Sequence, residues 1–295
     1  MSDKIWSFWE PKSGIHGYLE LCMETWKKLG RRVIILDNDN IRQYLPSKDV
    51  RMLEENRHFY SLAAYSDAVR KMVLYRHGGI WMDVDTVVVD AQKMDAIEKL
   101  KSETELLMVG KHNGWMWASK GSKVIENSYK QTIKKLNFNK YKLNRDGNLR
   151  KYWRAIKFII YTIKNEPQKI AELSEYINSS TISWDYLANS IMDPLVNKAN
   201  RSEYIDLTEM LPYKTFIPES ATWKDKYRDD PEKPKKYADF YFGKKDNSAK
   251  IKDSVFLCLH NSWTPEKYKN MNRHDFLKSD TTLAHVMKKV LRQVN

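Results

Sequence analysis

Residues 63–90, AAYSDAVRKMVLYRHGGIWMDVDTVVVD, decide how the rest of the chain is arranged. Ala64, Ala68, Met72 and Tyr75 recur at helical spacing and lay an apolar stripe along one side. Asp67 and Arg70, three residues apart, share a different face. The basic pair Arg76-His77 followed by Gly78-Gly79 is a helix C-terminus, with glycines able to reverse the chain through left-handed dihedrals. Ile80 to Val84 then reads as a short buried strand.

Asp83 and Asp85 stand two residues apart at the end of that strand, so an extended backbone would project both carboxylates to one side and Val84 inward. Two hard anionic oxygens side by side suit Mg²⁺ or Mn²⁺, which needs only one or two carboxylates and leaves positions for phosphate oxygens, as a diphosphate leaving group would supply. The rival reading is a solvated strand end. Against it, acidic residues are out of place after so apolar a strand, and like charges this close repel unless something positive intervenes. For Asp67 and Arg70 the rival is a surface ion pair worth at most about 1 kcal/mol.

Working outward, Ile5 to Trp9 is an apolar, aromatic strand with Trp6, Phe8 and Glu10 on one face. As the first strand of a parallel sheet it would end where a nucleotide base rests, so Trp6 and Phe8 are candidates to stack on uracil. Core packing is the rival, because inner strands of such sheets are apolar on both faces. Tyr18 to Lys28 reads as a helix closed by Gly30, and Arg32 to Leu36 as a second strand whose tip, Asp37, is a candidate for the base or ribose. This strand-helix-strand order predicts an α/β, Rossmann-type sheet with right-handed crossovers. Two short helices are expected at 38–45 and 47–56, the second capped by Ser47.

Downstream, Thr86 to Val89 is expected to continue as strand, Gln92 to Leu100 as helix and Leu106 to Val109 as strand, and residues 113–118 alternate so that Trp115 and Trp117 share a face. Helices are expected at 123–136, 150–164 and 167–176, with Ser183 capping another. Residues 223–252 read as a flexible loop able to order as a lid. Ser254 to Leu259 is the last strand and delivers His260.

A chain of 295 residues can bury a real core in one or two domains. Its ten tryptophans and seventeen tyrosines suit stacking on sugars as well as ordinary packing. No apolar run is long enough to span a bilayer and MSDKIWSFWE lacks a secretory pattern, so a cytoplasmic protein is expected. Cys22 and Cys258 belong to no metal or disulfide pattern and are expected as buried thiols. The formal net charge of +13 is concentrated: residues 120–164 hold thirteen Lys or Arg against Glu126 and Asp146. Within 150–164, Arg150, Arg154, Lys157 and Lys164 fall on one side of a helix, and Trp153, Ile156, Ile159, Ile160 and Ile163 mostly on another. That pattern reads as peripheral contact with an anionic membrane, or as a solvated charged face over a helical subdomain. No nucleic-acid recognition motif accompanies the charge, so nucleic acid is not an expected partner.

The string Ser66, Asp67, Arg70, Leu74, Tyr75, Gly78, Gly79, Ile80, Trp81, Asp83 and Asp85 resembles the capsular polysaccharide synthesis glycosyltransferases, within the wider group of Asp-x-Asp sugar transferases that includes mannosyltransferases and the large glucosylating toxins. Ile5 to Glu10 is similar to that family's opening strand, and Leu259 to Trp263 to its closing site loop. The resemblance implies a single GT-A-type domain over residues 1–295 with a basic helical insertion at about 121–200. It implies metal-dependent transfer of a hexose from a nucleotide sugar, a UDP-sugar above all, to a polysaccharide or lipid-linked saccharide acceptor, with retention at the anomeric carbon. It implies that His260 joins Asp83 and Asp85 on Mn²⁺ or Mg²⁺ and that Ser262 and Trp263 touch the diphosphate. Arg70 would offer forked hydrogen bonds to phosphate or sugar oxygens, and Asp67 would accept from sugar hydroxyls. Asn113 would border the donor sugar, with a turn asparagine before Gly114 as the rival. Asp185 would approach sugar or acceptor, with a helix-dipole role as the rival. Two other classes stay open: a nucleotide-sugar hydrolase or nucleotidyltransferase sharing the carboxylates, although the glycine- and lysine-rich N-terminal loop of nucleotidyltransferases is missing, and a non-catalytic basic membrane- or nucleic-acid-binding module.

Overall fold

The structure is a computed structural model and describes residues 3–15, 17–57, 60–109, 112–142, 156, 159–164, 186–207, 213–215, 232–251 and 254–292. Among the described residues it holds a six-stranded and a three-stranded sheet. In the larger, β1 (Ile5–Phe8) lies between β2 (Val33–Leu36) and β3 (Gly79–Met82), parallel to both. β3 continues antiparallel to β6 (His112–Ala118), which pairs with β5 (Leu106–Val109) and, beyond it, the short parallel β7 (Ile205–Asp206). The expected α/β sheet is therefore present, parallel in most of its strands.

Period-two alternation divides the side chains of this sheet between two cores. Trp6, Phe8, Ile34, Leu36, Trp81 and Met116 pack under the helices of one face, and Ile5, Ile80, Met82, Trp115 and Trp117 form the other. Helix α1 (Gly17–Thr25) runs into a turn of 3-10 helix that Gly30 closes at φ 60°, as the sequence predicts. Helix α2 (Ser47–Asn56) begins after Pro46 with no side-chain cap, so Ser47 is its first residue and not its cap, and only a 3-10 turn, Ile41–Gln43, forms in the segment before it.

The second sheet, β4 (Thr86–Val88) beside β9 (Phe256–Cys258) and β8 (Tyr213–Thr215), covers a third core of Tyr18, Cys22, Val84, Val87, Leu257 and Phe276. Residues 86–88 thus do not prolong β3; they open a different sheet. Cys22 and Cys258 are free and buried. Part of the expected 223–252 loop is helical: α7 (Lys233–Phe242) buries Tyr237 and Tyr241 in that core, following α3 (Leu62–His77), α4 (Asp95–Leu100), α5 (Lys123–Lys142) and α6 (Asn189–Val196) along the chain. The expected helices at 167–176 and at Ser183 lie outside the described residues. Among the described residues no helix is long and apolar enough to cross a membrane.

The hinge between the helical and extended halves of the organising stretch is tight. Ser61 caps α3 by accepting from Ala64 N, and Gly78 and Gly79 end it at φ 64° and 101°. A Cβ on Gly79 would meet Lys4 O at 2.7 Å, and the Trp6 indole donates to Gly78 O at 2.9 Å. Both backbone strain and a clash with main chain therefore oppose any side chain here. Gly79→Ala is expected to cost about 3 kcal/mol, read as a lower denaturant midpoint at unchanged slope; an unshifted midpoint would show that the hinge tolerates a Cβ.

Candidate functional site

The Asp-x-Asp segment forms the joint between the two sheets. β3 ends at Met82, and residues 83–86 close a turn with Thr86 N donating to Asp83 O at 2.9 Å. The expected extended geometry is thus replaced by a turn, in which Val84 is drawn into the core of the second sheet while Asp83 and Asp85 stay partly accessible. The turn is held from both sides: Asp83 N donates to Gly114 O of β6 at 2.8 Å, and Leu259 N to Asp85 O at 3.1 Å.

The two carboxylates have different surroundings. Asp83 Oδ1 accepts from Arg70 Nη2 at 2.6 Å and from the Trp81 indole at 2.7 Å. Its other oxygen has no hydrogen bond among the described residues. Arg70 Nη1 faces Asp67 Oδ1 at 3.0 Å, and the guanidinium lies over the Trp81 ring at 5.0 Å. Arg70 is 4% and Asp67 7% exposed, which overturns the surface-pair reading. It also changes the expected role of Arg70, since both terminal nitrogens already face carboxylates and the fork is directed at Asp67 and Asp83.

Asp85 Oδ2 accepts from Asn261 N at 3.1 Å, and Asn261 Oδ1 in turn accepts from the Tyr18 hydroxyl. Burial, and then the charge of Asp83, push the Asp85 carboxyl up to about 7, against the opposing pull of the Asn261 N–H and Arg70. The site therefore holds one carboxylate neutralised by arginine and a second that ionises reluctantly. A divalent cation between them would relieve that strain on ionisation, so the donor set fits a hard cation completed by phosphate oxygens.

His260, expected as a third ligand, stacks on Trp263 with ring centroids 4.5 Å apart and meets the Tyr237 ring edge-on. Among the described residues no group of three or more His, Cys, Asp or Glu is gathered closely enough to hold a metal, so the expected trio is not assembled. Ser262 is exposed and Trp263 half-buried in the 3-10 turn Asn261–Trp263, the same turn whose first N–H reaches Asp85.

Other expected residues are placed differently. Trp6 is fully buried, stacked on His77 and edge-on to Tyr44, so it serves the core and cannot stack on a base. Asp37 is buried and committed: Lys12 Nζ lies 2.7 Å from its carboxylate, which also accepts from Asn40 N at 2.7 Å. Burial alone would raise its pKa, but those hydrogen bonds outweigh burial and hold it below the ordinary value. Phe8 borders a cavity of about 170 Å³ at the ends of β1 and β2, lined also by Glu10, Asn38, Arg57, Tyr60 and Tyr65. Asn113 is buried on β6 and donates to Asn189 Oδ1 of α6 at 2.6 Å. Asp185 lies outside the described residues.

Sequence reasoning missed Asn261, Arg57, Tyr60 and Lys71. Lys71 is fully buried, donating to Asp67 O at 3.1 Å and to Leu187 O, and burial pulls its pKa down to about 7 against the attraction of Asp67. Its signal was a lysine next to Met72 in the apolar stripe. Asn261 left none, because it acts through its backbone.

Residues 16–107, which run from the start of α1 through the Asp-x-Asp turn to β5, match the family model of the glycosyltransferase sugar-binding region containing a DXD motif. A comparison with curated proteins finds no match. The matched region covers about a third of the chain and carries both carboxylates, and that sugar-binding region makes the protein a glycosyltransferase.

Proposed function

We infer that the protein moves a hexose from a nucleotide sugar, a UDP-sugar above all, to a polysaccharide or lipid-linked saccharide acceptor in surface polysaccharide synthesis, with retention at the anomeric carbon. The observation that carries this reading is the asymmetric carboxylate pair: Asp83 takes the Arg70 guanidinium, while Asp85 takes the backbone N–H of Asn261. Asp83 and Asp85 would hold Mg²⁺ or Mn²⁺, which when bound neutralises charge on the departing diphosphate. The remaining work falls to the chain itself. Arg70 fixes the orientation of Asp83, and the Asn261 N–H that of Asp85. The narrow cavity by Phe8, Arg57 and Tyr60, at the ends of two parallel strands, suits a single-ring base. Trp263 and Ser262 belong to the turn whose first N–H reaches Asp85, which supports a role for them beside the diphosphate.

Retention by double displacement needs a carboxylate free to attack the anomeric carbon. Asp67 and Asp83 face Arg70, and Asp85 accepts from Asn261, which favours a front-face reaction resting on positioning and charge stabilisation. The test is an NMR time course with UDP-hexoses, a saccharide acceptor and Mn²⁺, reading the anomeric coupling before mutarotation. Cation-dependent glycoside of the donor's own configuration is expected. An inverted product would refute retention, and free sugar formed equally with or without acceptor would make the protein a hydrolase.

A further inference from the structure

Among the described residues, five large apolar side chains are exposed, and four of them are Ile156, Ile159, Ile160 and Ile163. Their spacing of three, one and three residues is that of one helix face, and residues 159–163 are helical. Ile163 is 78% exposed. Single exposed isoleucines are unremarkable, but four in one stripe form a patch that water solvates poorly. None of the described residues covers this side of the stripe.

The charge carried by the segment's sequence narrows what covers the stripe. Residues 150–164 contain Arg150, Lys151, Arg154, Lys157 and Lys164 and no acidic residue, within the 45-residue stretch whose net charge is +11. A second copy of the chain would bring two such segments together against their like charge, over a stripe of only four isoleucines, well below the roughly 800 Å² per partner of a stable interface. Nucleic acid would meet the cations but offers nothing for aliphatic side chains, which do not stack on bases as aromatic rings do. An anionic bilayer answers both, taking the isoleucines into the acyl boundary and the cations at the headgroups.

We propose that residues 150–164 dock the protein on the surface of an anionic membrane through the Ile156-Ile159-Ile160-Ile163 stripe. This surface is independent of the reaction and would hold for any acceptor. The test is co-sedimentation of the full chain with vesicles of phosphatidylcholine, with and without phosphatidylglycerol, at low and high salt. Binding is expected only to the anionic vesicles and to weaken with salt. Ile159→Asp with Ile163→Asp should reduce it at least tenfold, and Lys157→Glu with Lys164→Glu several-fold with a flatter salt dependence. Should the isoleucine variant lose the wild-type melting temperature, the lysine pair decides. Equal binding by the variants, equal binding to neutral vesicles, or no binding overturns the proposal. So does a wild-type dimer in light scattering that the isoleucine variant dissolves, since that assigns the stripe to a second copy.

Discussion

Asp85→Asn is expected to lower kcat about 10³-fold, close to 4 kcal/mol of barrier, while leaving the metal-free protein at least as stable as the wild type above neutral pH. The two halves of this result have one cause. Burial and the neighbouring Asp83 raise the Asp85 carboxyl to about 7, against about 3.9 for an unfolded aspartate. Between those values the folded state keeps a proton that the unfolded state has released, so wild-type stability falls as pH rises from about 4 to about 7 and stays at its lower level above. An asparagine has no proton to lose. The stability difference between variant and wild type in the presence of chelator should therefore grow through that window in the variant's favour, by a few kcal/mol at most. A divalent cation should restore the wild type alone at pH 8. Initial rates and denaturant midpoints at several pH values, with and without Mn²⁺, test both halves. A variant that turns over at the wild-type rate removes Asp85 from the site. A pH-independent difference between the two proteins removes the reluctant ionisation on which the cation assignment leans.

Arg70→Ala is expected to damage the fold and the reaction together. Arg70 lies 2.6 Å from Asp83 and 3.0 Å from Asp67, is itself buried, and stacks on the Trp81 ring. Removing it takes from the nearly buried Asp67 its arginine and leaves Asp83 with two like-charged neighbours, and breaking a buried pair from one side typically costs about 3–5 kcal/mol. Activity should fall by roughly 10² or more, because Asp83 then lacks the group that orients it. Arg70→Lys should recover part of the stability but little of the rate, since one ammonium cannot serve two carboxylates with the spread of a guanidinium. The check is the pair of variants measured side by side for unfolding and turnover. If the lysine variant regained full activity, Arg70 would be a counter-charge and not the device that aims Asp83.

Much of this arrangement was legible in residue order. The helix Leu62–His77, its stop at Gly78-Gly79, and the strands at 5–8, 33–36, 79–82 and 106–109 follow from apolar periodicity, glycine stereochemistry and β-branched runs, all of which act over a few residues. The same locality explains the errors. A strand pattern cannot reveal that the chain leaves one sheet at Met82 and enters another at Thr86, since both sides of the joint are apolar and extended. Nor can it say whether an aromatic strand residue faces ligand or core: Trp6 and Phe8 share a face, yet Trp6 is sealed beneath His77 and Tyr44 and Phe8 reaches a cavity.

Residue order by itself determined the cation-binding chemistry on offer, two aspartates two residues apart behind a buried strand, because side-chain type and spacing are local properties. Only the tertiary structure decided that Arg70 serves Asp83 and that the backbone of Asn261, 176 residues away, holds Asp85. A main-chain N–H is present at every residue but proline, so what singles one out is the docking of distant segments.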